Sequence, residues 1–194
     1  MNEVVVAQLH AYEAMVADEN QRQNLVSSST LTSFHSRHVE DSHQLLHLAP
    51  SGLWLDIGSG AGLPGIVIAI YDPGRPVVMV EPRARRVEFL NHVVDALQLT
   101  NASVVHGKVE QLSGLKPAVI SARAVARLDQ LFSWSAPISD PSTVWLFPKG
   151  RTAASELETA QATWQGDVEL VPSVTDPDAA IVVARNMRRR SKAR

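Results

Sequence analysis

The residues most able to do chemistry lie in one short stretch, WLDIGSGAGLPGIVIAI, at positions 54–70. It holds four of the chain's ten glycines, between a strand-like apolar run and a helix-like one. An acid, Asp56, stands two residues before Gly58, the first of these glycines. Glycine lets the backbone take positive φ and lets a ligand approach it closely, and the amides of a helix N-terminus follow. The stretch predicts a nucleotide-binding turn, because a plain tight turn needs fewer glycines.

Two kinds of nucleotide compete for this turn. Residues 60–65 match G-x-G-x-x-G, the fingerprint of dinucleotide-binding proteins, whose glycines hold a pyrophosphate. The Asp56 carboxylate would repel those phosphates, whereas S-adenosylmethionine has no phosphate and carries a positively charged sulfur. We therefore predict S-adenosylmethionine as the cofactor, held by Asp56 directly or through water, with Glu81 on the ribose hydroxyls. The cofactor contacts predicted on this basis are Asp56, Gly58, Gly60, Gly62 and Glu81.

Short apolar runs alternate with amphipathic ones along most of the chain, which predicts a mainly parallel sheet with helices on both faces. The predicted strands are 53–57, 76–81, 102–107, 117–122, 142–147, 167–172 and 179–185. The predicted helices are 3–23, 35–49, 64–71, 84–97, 127–136 and 152–164. The last two strands leave no room for a helix between them, so we expect an antiparallel hairpin there. The fold class is α/β and Rossmann-like, with a helical extension over 1–49, a central domain over 50–187 and a basic tail over 188–194.

Composition limits the classes of protein that remain. The net charge is −2 and there is no cysteine, which excludes disulfides and thiolate metal sites. The absence of a signal-like N-terminus or a long apolar stretch predicts a cytoplasmic protein outside the membrane, and nothing points to an obligate dimer. Six of the eighteen Lys and Arg residues fall in the last ten positions, and Arg83, Arg85 and Arg86 form a second basic cluster. Basic clusters of this kind either reach phosphates or form a solvated surface.

Seven segments, taken in order, resemble the RsmG (GidB) family of small-subunit rRNA methyltransferases. They are NLVS (24–27), RHVEDS (37–42), DIGSGAGLPGIVIAI (56–70), RRVEFL (85–90), KVEQL (108–112), ARAVARL (122–128) and PKG (148–150). The resemblance implies a class I methyltransferase with an N-terminal helical extension. It also implies transfer of a methyl group to N7 of a guanine in 16S rRNA, near the decoding site, on naked RNA or on the small ribosomal subunit. Carried over by position, it implies cofactor contacts at Gly58, Leu63, Val109, Glu110 and Arg123.

Guanine N7 has a lone pair and no proton, so attack on the methyl group needs no general base, and the sequence offers no convincing one. Arg123, after the fourth predicted strand, is the first candidate to hold guanine or a phosphate, with a salt bridge at the rim as its alternative. Lys149 is the second candidate, facing RNA phosphate or lying in a surface turn. Arg37 and Asp41 are four residues apart on a predicted helix and, with Asn24, form either an RNA-contacting lid or a structural ion pair.

Other interpretations stay open. The fingerprint at 60–65 also permits an NAD-dependent oxidoreductase, and the fold alone permits an RNA-binding module without activity. Four histidines between residues 35 and 47 raise the question of a metal, but no acid completes a clear site and we predict none.

Overall fold

The computed structural model describes residues 2–191, which form one seven-stranded sheet in the order β3-β2-β1-β4-β5-β7-β6. The strands are β1 Trp54–Ile57, β2 Val77–Glu81, β3 Ala102–His106, β4 Val119–Ser121, β5 Val144–Lys149, β6 Trp164–Pro172 and β7 Ala180–Arg189. The helices are α1 Glu3–Glu19, α2 Ser28–Leu31, α3 Glu40–His43, α4 Gly65–Tyr71, α5 Ala84–Ala96, α6 Leu128–Ser135 and α7 Ala153–Gln161. The predicted α/β class and the order of its elements are confirmed.

The pairing of the strands fixes where a ligand can bind. β1 pairs in parallel with β2 on one side and with β4 on the other, so the strand order reverses at β1. Ligands of such sheets bind beyond the carboxyl ends of the strands at this reversal, and the glycine turn follows β1 directly. The predicted hairpin is also present, since β7 pairs antiparallel with β5 and with β6.

The N-terminal segment is less regular than its sequence predicts. α1 ends at Glu19 instead of residue 23, because the Asn20 side chain accepts bonds from the amides of Leu25 and Val26 and turns the chain back. The predicted helix over 35–49 is a π-helical turn over His35–Val39, then α3, then a 3₁₀ turn over Gln44–Leu48.

This segment shares its core with the sheet. Tyr12 and Val16 of α1 are fully buried in the same apolar cluster as Ile66 of α4 and Leu90 of α5. The Tyr12 hydroxyl also donates a 2.8 Å hydrogen bond to the carbonyl of Ala61, inside the glycine turn. The first helix therefore supports the turn as well as covering one face of the sheet.

The basic C-terminal end lies far from the edge that ends β1. β7 continues to Arg189, two residues beyond the predicted boundary at 187. Because β7 runs antiparallel to β5, its first residue, Ala180, pairs with Lys149, while Arg189 lies at the opposite edge. There its guanidinium stacks over the Trp164 ring at 5.4 Å. Residues 192–194 of the predicted tail lie outside the described residues.

Residues 2–191 contain neither a membrane-spanning helix nor a cluster of metal ligands. Within that range no helix is both long enough and apolar enough to cross a bilayer. Among the same residues, no three His, Asp or Glu side chains are grouped as metal ligands would be; His43 and His47 instead make an edge contact between their rings.

Candidate active site

The glycine turn takes a conformation that side chains disfavour. Gly58, Gly60 and Gly62 have φ values of +65°, +58° and +98°. The amide of Gly60 donates to one oxygen of the buried Glu81 carboxylate at 3.0 Å, and the amide of Arg83 donates to the other at 3.0 Å. Glu81, the last residue of β2, thus ties the turn to the end of that strand. Its predicted contact with the ribose hydroxyls stays a prediction.

Asp56 lies beneath the turn. Its side chain is fully buried, and burial raises the pKa of this carboxyl to about 6. The Ser121 hydroxyl donates to it at 2.8 Å and the Gly65 amide at 3.3 Å, so it joins β1, β4 and the start of α4. Asp56 is absent from the lining of both cavities described below. The predicted contact of Asp56 with a cofactor stays a prediction. In the structure, its hydrogen bonds hold the turn in place.

A cavity of about 290 Å³ opens beside the turn, at the carboxyl ends of β1, β2 and β3. Its lining includes Gly58, Glu81, Val109 and Glu110, four of the predicted cofactor contacts. Gly60, Gly62 and Leu63 lie behind this wall and do not line it. Trp134 of α6 also lines the cavity.

A larger cleft of about 780 Å³ lies on the other side of the β4–α6 loop. It is lined by four of the residues predicted to act on the substrate: Arg37, Asp41, Arg123 and Lys149. Asn24 does not line it and faces a neighbouring groove. The structure therefore brings the predicted catalytic residues together, next to the predicted cofactor cavity but separate from it.

Two residues of the β4–α6 loop form the partition between the two spaces. Ala124 and Val125 line both cavities. Ala124 has a φ of +57°, which is uncommon for a residue with a side chain. Val125 covers the first glycine of the turn, since a Cβ built on Gly58 would lie 2.8 Å from Val125 Cγ2. The sequence shows these two residues only as part of segment 122–128, and their position between the cavities depends on how β4 and α6 are joined.

Arg123 is held from the N-terminal segment. Its guanidinium donates to Asp41 Oδ2 at 3.1 Å and to His38 Nδ1 at 3.1 Å. Burial, followed by the nearby Arg123 charge, lowers the pKa of His38 to about 4, so this ring is neutral near pH 7 and Nδ1 can accept. The second oxygen of Asp41 accepts from the Thr175 hydroxyl at 2.9 Å, in the loop between β6 and β7. Arg123 is thus fixed by two other segments of the chain.

Lys149 also bonds to other residues of the protein. It lies in β5 with a side chain only 10% exposed, so the alternative of a surface-turn lysine is wrong. Its ammonium donates to the Glu156 carboxylate at 2.8 Å and to the Ala126 carbonyl at 2.6 Å. Burial acts to raise the pKa of Glu156, but the Lys149 ammonium and hydrogen bonds outweigh it and hold the value below the usual range. Lys149 therefore fixes the β4–α6 loop against α7.

The cations that line the cleft are all balanced by acids. Arg37 does not pair with Asp41, as a regular helix would allow, but with Asp176 at 3.3 Å. Arg127 lies 3.9 Å from Asp129, and Arg123 and Lys149 have the partners described above. The acids of the cleft are occupied in the same pairs, so no free carboxylate faces it. Thr175 and Asp176 were not predicted, because only the β6–β7 hairpin brings them near residues 37–41.

Comparison with known proteins shows the family of this chain. The model of the GidB family, described as rRNA small subunit methyltransferase G, matches residues 5–182. A ribosomal RNA small subunit methyltransferase G from Rhizorhabdus wittichii is 44% identical, over 96% of this chain and 88% of the relative. The corresponding protein from Erythrobacter litoralis is 47% identical, over 92% and 89%.

Solved structures show the same fold at low identity. The glycopeptide N-methyltransferase MtfA, solved with S-adenosyl-L-methionine, superposes with a TM-score of 0.62 at 11% identity, over 76% of this chain and 86% of that one. A SAM-dependent methyltransferase from Aquifex aeolicus gives 0.60 at 15% identity, over 80% and 92%. With a family match across nearly the whole chain and relatives above 40% identity, this protein belongs to the GidB family of rRNA small subunit methyltransferases.

Proposed function

We propose that the protein uses S-adenosylmethionine to methylate N7 of a guanine in 16S rRNA, near the decoding site. Family membership supports the reaction class. The observation that carries the mechanism is the meeting of the two cavities at Ala124 and Val125, beside Arg123. A donor in one cavity and a base in the other would approach each other at these two residues.

The smaller cavity fits S-adenosylmethionine, which when bound supplies a methyl group on a positively charged sulfur. Glu81 presents a carboxylate suited to ribose hydroxyls at the end of β2. Gly58 lines the cavity and lets Val125 pack directly over the turn, and Val109 and Glu110 form the wall beyond it. Glu81 and Glu110 line the cavity together with cations at Arg83, Arg86 and Lys108, so the lining alone does not choose between the two ligands. The buried Asp56 carboxyl beneath the turn is the group that favours a cationic ligand over a diphosphate.

Guanine N7 suits a cleft without a free base. The acids that line the cleft hold Arg37, Arg123 and Lys149, and His38 accepts from Arg123, so none is placed to remove a proton. N7 needs none. The protein then has to hold guanine N7 in line with the methyl group and the sulfur. Such positioning lowers the activation barrier by about 7–11 kcal/mol in well-oriented reactions.

The roles within the cleft follow from its contacts. Arg123 holds guanine O6 or the adjacent phosphate, and Asp41 fixes it for that purpose. Arg37 has a side chain 46% exposed at the rim and is the second proposed RNA contact. Methylated guanine carries a positive charge, and pairing each cation with an acid limits the repulsion that this product meets. Lys149 acts on the loop and does not contact phosphate directly.

The test is methyl transfer to small ribosomal subunits purified from cells that lack the modification. With S-adenosylmethionine carrying a labelled methyl group, label should enter 16S rRNA. Borohydride reduction followed by aniline should then cleave the RNA at one guanine, because only N7-methylated guanine is sensitive to that treatment. Label in RNA without cleavage would refute the N7 assignment. Label in protein alone would refute the RNA substrate.

Calorimetry separates this function from the two alternatives. S-adenosylhomocysteine should bind and NADH should not. Tight binding of NADH alone would select an oxidoreductase. Binding of RNA without any binding of S-adenosylhomocysteine would select a module that has lost its activity.

A further inference from the structure

A groove of about 430 Å³ lies beside the cofactor cavity, between the turn after α1 and the start of α5. Its lining is Gln23, Asn24, Arg83, Ala84, Arg85 and Arg86, with no acid among them. Arg83 and Arg86 also line the cofactor cavity, so the groove and the cavity share a wall. The groove lies at the carboxyl edge of the sheet, because Arg83 follows the last residue of β2 by two positions.

The three arginines differ from the cations of the cleft. Within residues 2–191, Arg83, Arg85 and Arg86 make no ion pair, whereas each cation lining the cleft has an acidic partner. Arg83 and Arg85 are exposed, and Arg86 is half-buried with one nitrogen donating to the Asn24 carbonyl at 3.2 Å. Their positive charge is therefore available to a ligand, while that of the cleft is already neutralised.

The groove leads to the cleft along one continuous stretch of chain. Residues 23–24 line the groove, and residues 25–27 line the cleft. The Gln23 side chain donates to the Arg85 carbonyl at 3.2 Å, which holds this stretch against the start of α5. A strand of RNA with its target base in the cleft would place neighbouring phosphates over the groove.

We propose that Arg83, Arg85 and Arg86 bind backbone phosphates of the RNA strand that flanks the target guanine, an inference that rests on the proposed function. Three guanidiniums without an ion pair match a polyanion, and guanidinium groups suit phosphate geometry. Arg85 also lines a neighbouring groove that contains Glu19 and Glu88, but it forms an ion pair with neither in the described structure. The basic C-terminal end is the competing surface by charge. That end lies at the opposite edge of the sheet from the cleft. An RNA strand that enters the cleft directly would not contact it.

The test compares Arg85→Gln with Arg188→Gln. Both arginines are exposed and without an ion pair in the described structure, and each variant removes one charge, but they lie at opposite edges. For Arg85→Gln, we expect KM for small subunits to rise several-fold and the salt dependence of affinity for a 16S rRNA fragment to lose about 0.7 in log–log slope. Arg85→Lys should keep the slope, and Arg188→Gln should match wild type.

Each outcome decides the matter. Equal effects of Arg85→Gln and Arg188→Gln would overturn the proposal, as would an effect of Arg188→Gln alone. A rise in KM for subunits without any change in binding of the RNA fragment would also overturn it, since the contact would then be with a ribosomal protein. The cofactor affinity of Arg85→Gln, measured with S-adenosylhomocysteine, should equal that of wild type because Arg85 does not line the cofactor cavity. Failure of wild type to methylate RNA would instead refute the proposed function itself.

Discussion

The pair formed by Asp41 and Arg123 offers a quantitative test of how the cleft works. Asp41→Asn keeps the shape of the side chain but removes the charge opposite Arg123, at a site where both side chains are 16–17% exposed. A hydrogen bond to a charged group contributes about 1.5–3 kcal/mol. We take about 2 kcal/mol as the coupling between the two residues, equivalent to roughly thirtyfold in kcat/KM. The Asp41 oxygen that accepts from Thr175 also accepts from the Gln44 amide at 2.9 Å. The asparagine oxygen therefore stays on that side, and its NH2 faces the Arg123 guanidinium.

A double-mutant cycle measures this coupling. It compares wild type, Asp41→Asn, Arg123→Gln and the double variant in kcat/KM for methylation of small subunits. If Asp41 acts by aiming Arg123, its substitution should cost little once Arg123 has been replaced. Asp129→Asn is the matched control, because the Arg127–Asp129 pair is long, at 3.9 Å, and both side chains are well exposed. Additive losses, with a coupling below about 0.5 kcal/mol, would show that Asp41 does not act through Arg123.

Three further predictions concern the turn and the loop. Gly58→Val should abolish binding of S-adenosylhomocysteine in calorimetry, because its Cβ would lie 2.8 Å from Val125 Cγ2 and displace a residue that lines the cavity. The left-handed φ of +65° alone costs the fold about 1–2 kcal/mol in urea unfolding, and the clash adds to that cost. Unchanged affinity would show that the cofactor lies elsewhere. Because burial raises the pKa of Asp56 to about 6, above its value in the unfolded chain, the folded state binds more protons between about pH 4 and 6. The free energy of unfolding of the wild type should therefore fall as pH rises through that window. In urea unfolding, Asp56→Asn should flatten this pH dependence. The same pH dependence in both proteins would contradict the raised pKa of Asp56. Lys149→Met removes the bonds to Ala126 and Glu156, so the β4–α6 loop is no longer held against α7. We expect kcat to fall about tenfold, equivalent to about 1.4 kcal/mol, with cofactor affinity kept. An equal loss of RNA affinity at low salt would favour direct phosphate contact.

Much of the fold is predictable because each βα unit has a local sequence pattern, an apolar run followed by an amphipathic one. Glu81, Arg123 and Lys149 all follow or end parallel strands, and the rule that such ends meet at one edge places them near each other before any coordinates are known. The glycine turn is equally local, since its positive φ values require its residue types.

The remainder depends on contacts between distant segments. Asp56 looks like a ligand contact in the sequence, but its partners Ser121 and Gly65 enclose it fully. Arg37 and Asp41 look like neighbours on a helix, but they bond Asp176 and Arg123, which lie 139 and 82 residues away along the chain. No local pattern encodes which acid meets which cation when the two residues come from such distant segments of the chain.

The hydrogen bond from the Tyr12 hydroxyl to the Ala61 carbonyl affects where loss-of-function substitutions should be found. A helix far from the reacting atoms in sequence holds the shape of the turn, so the region before residue 50 is no dispensable appendage. A screen for loss of methylation would collect substitutions along the inner side of the first helix as readily as around the reaction centre, and deleting that helix would inactivate the enzyme without touching a single group that meets RNA.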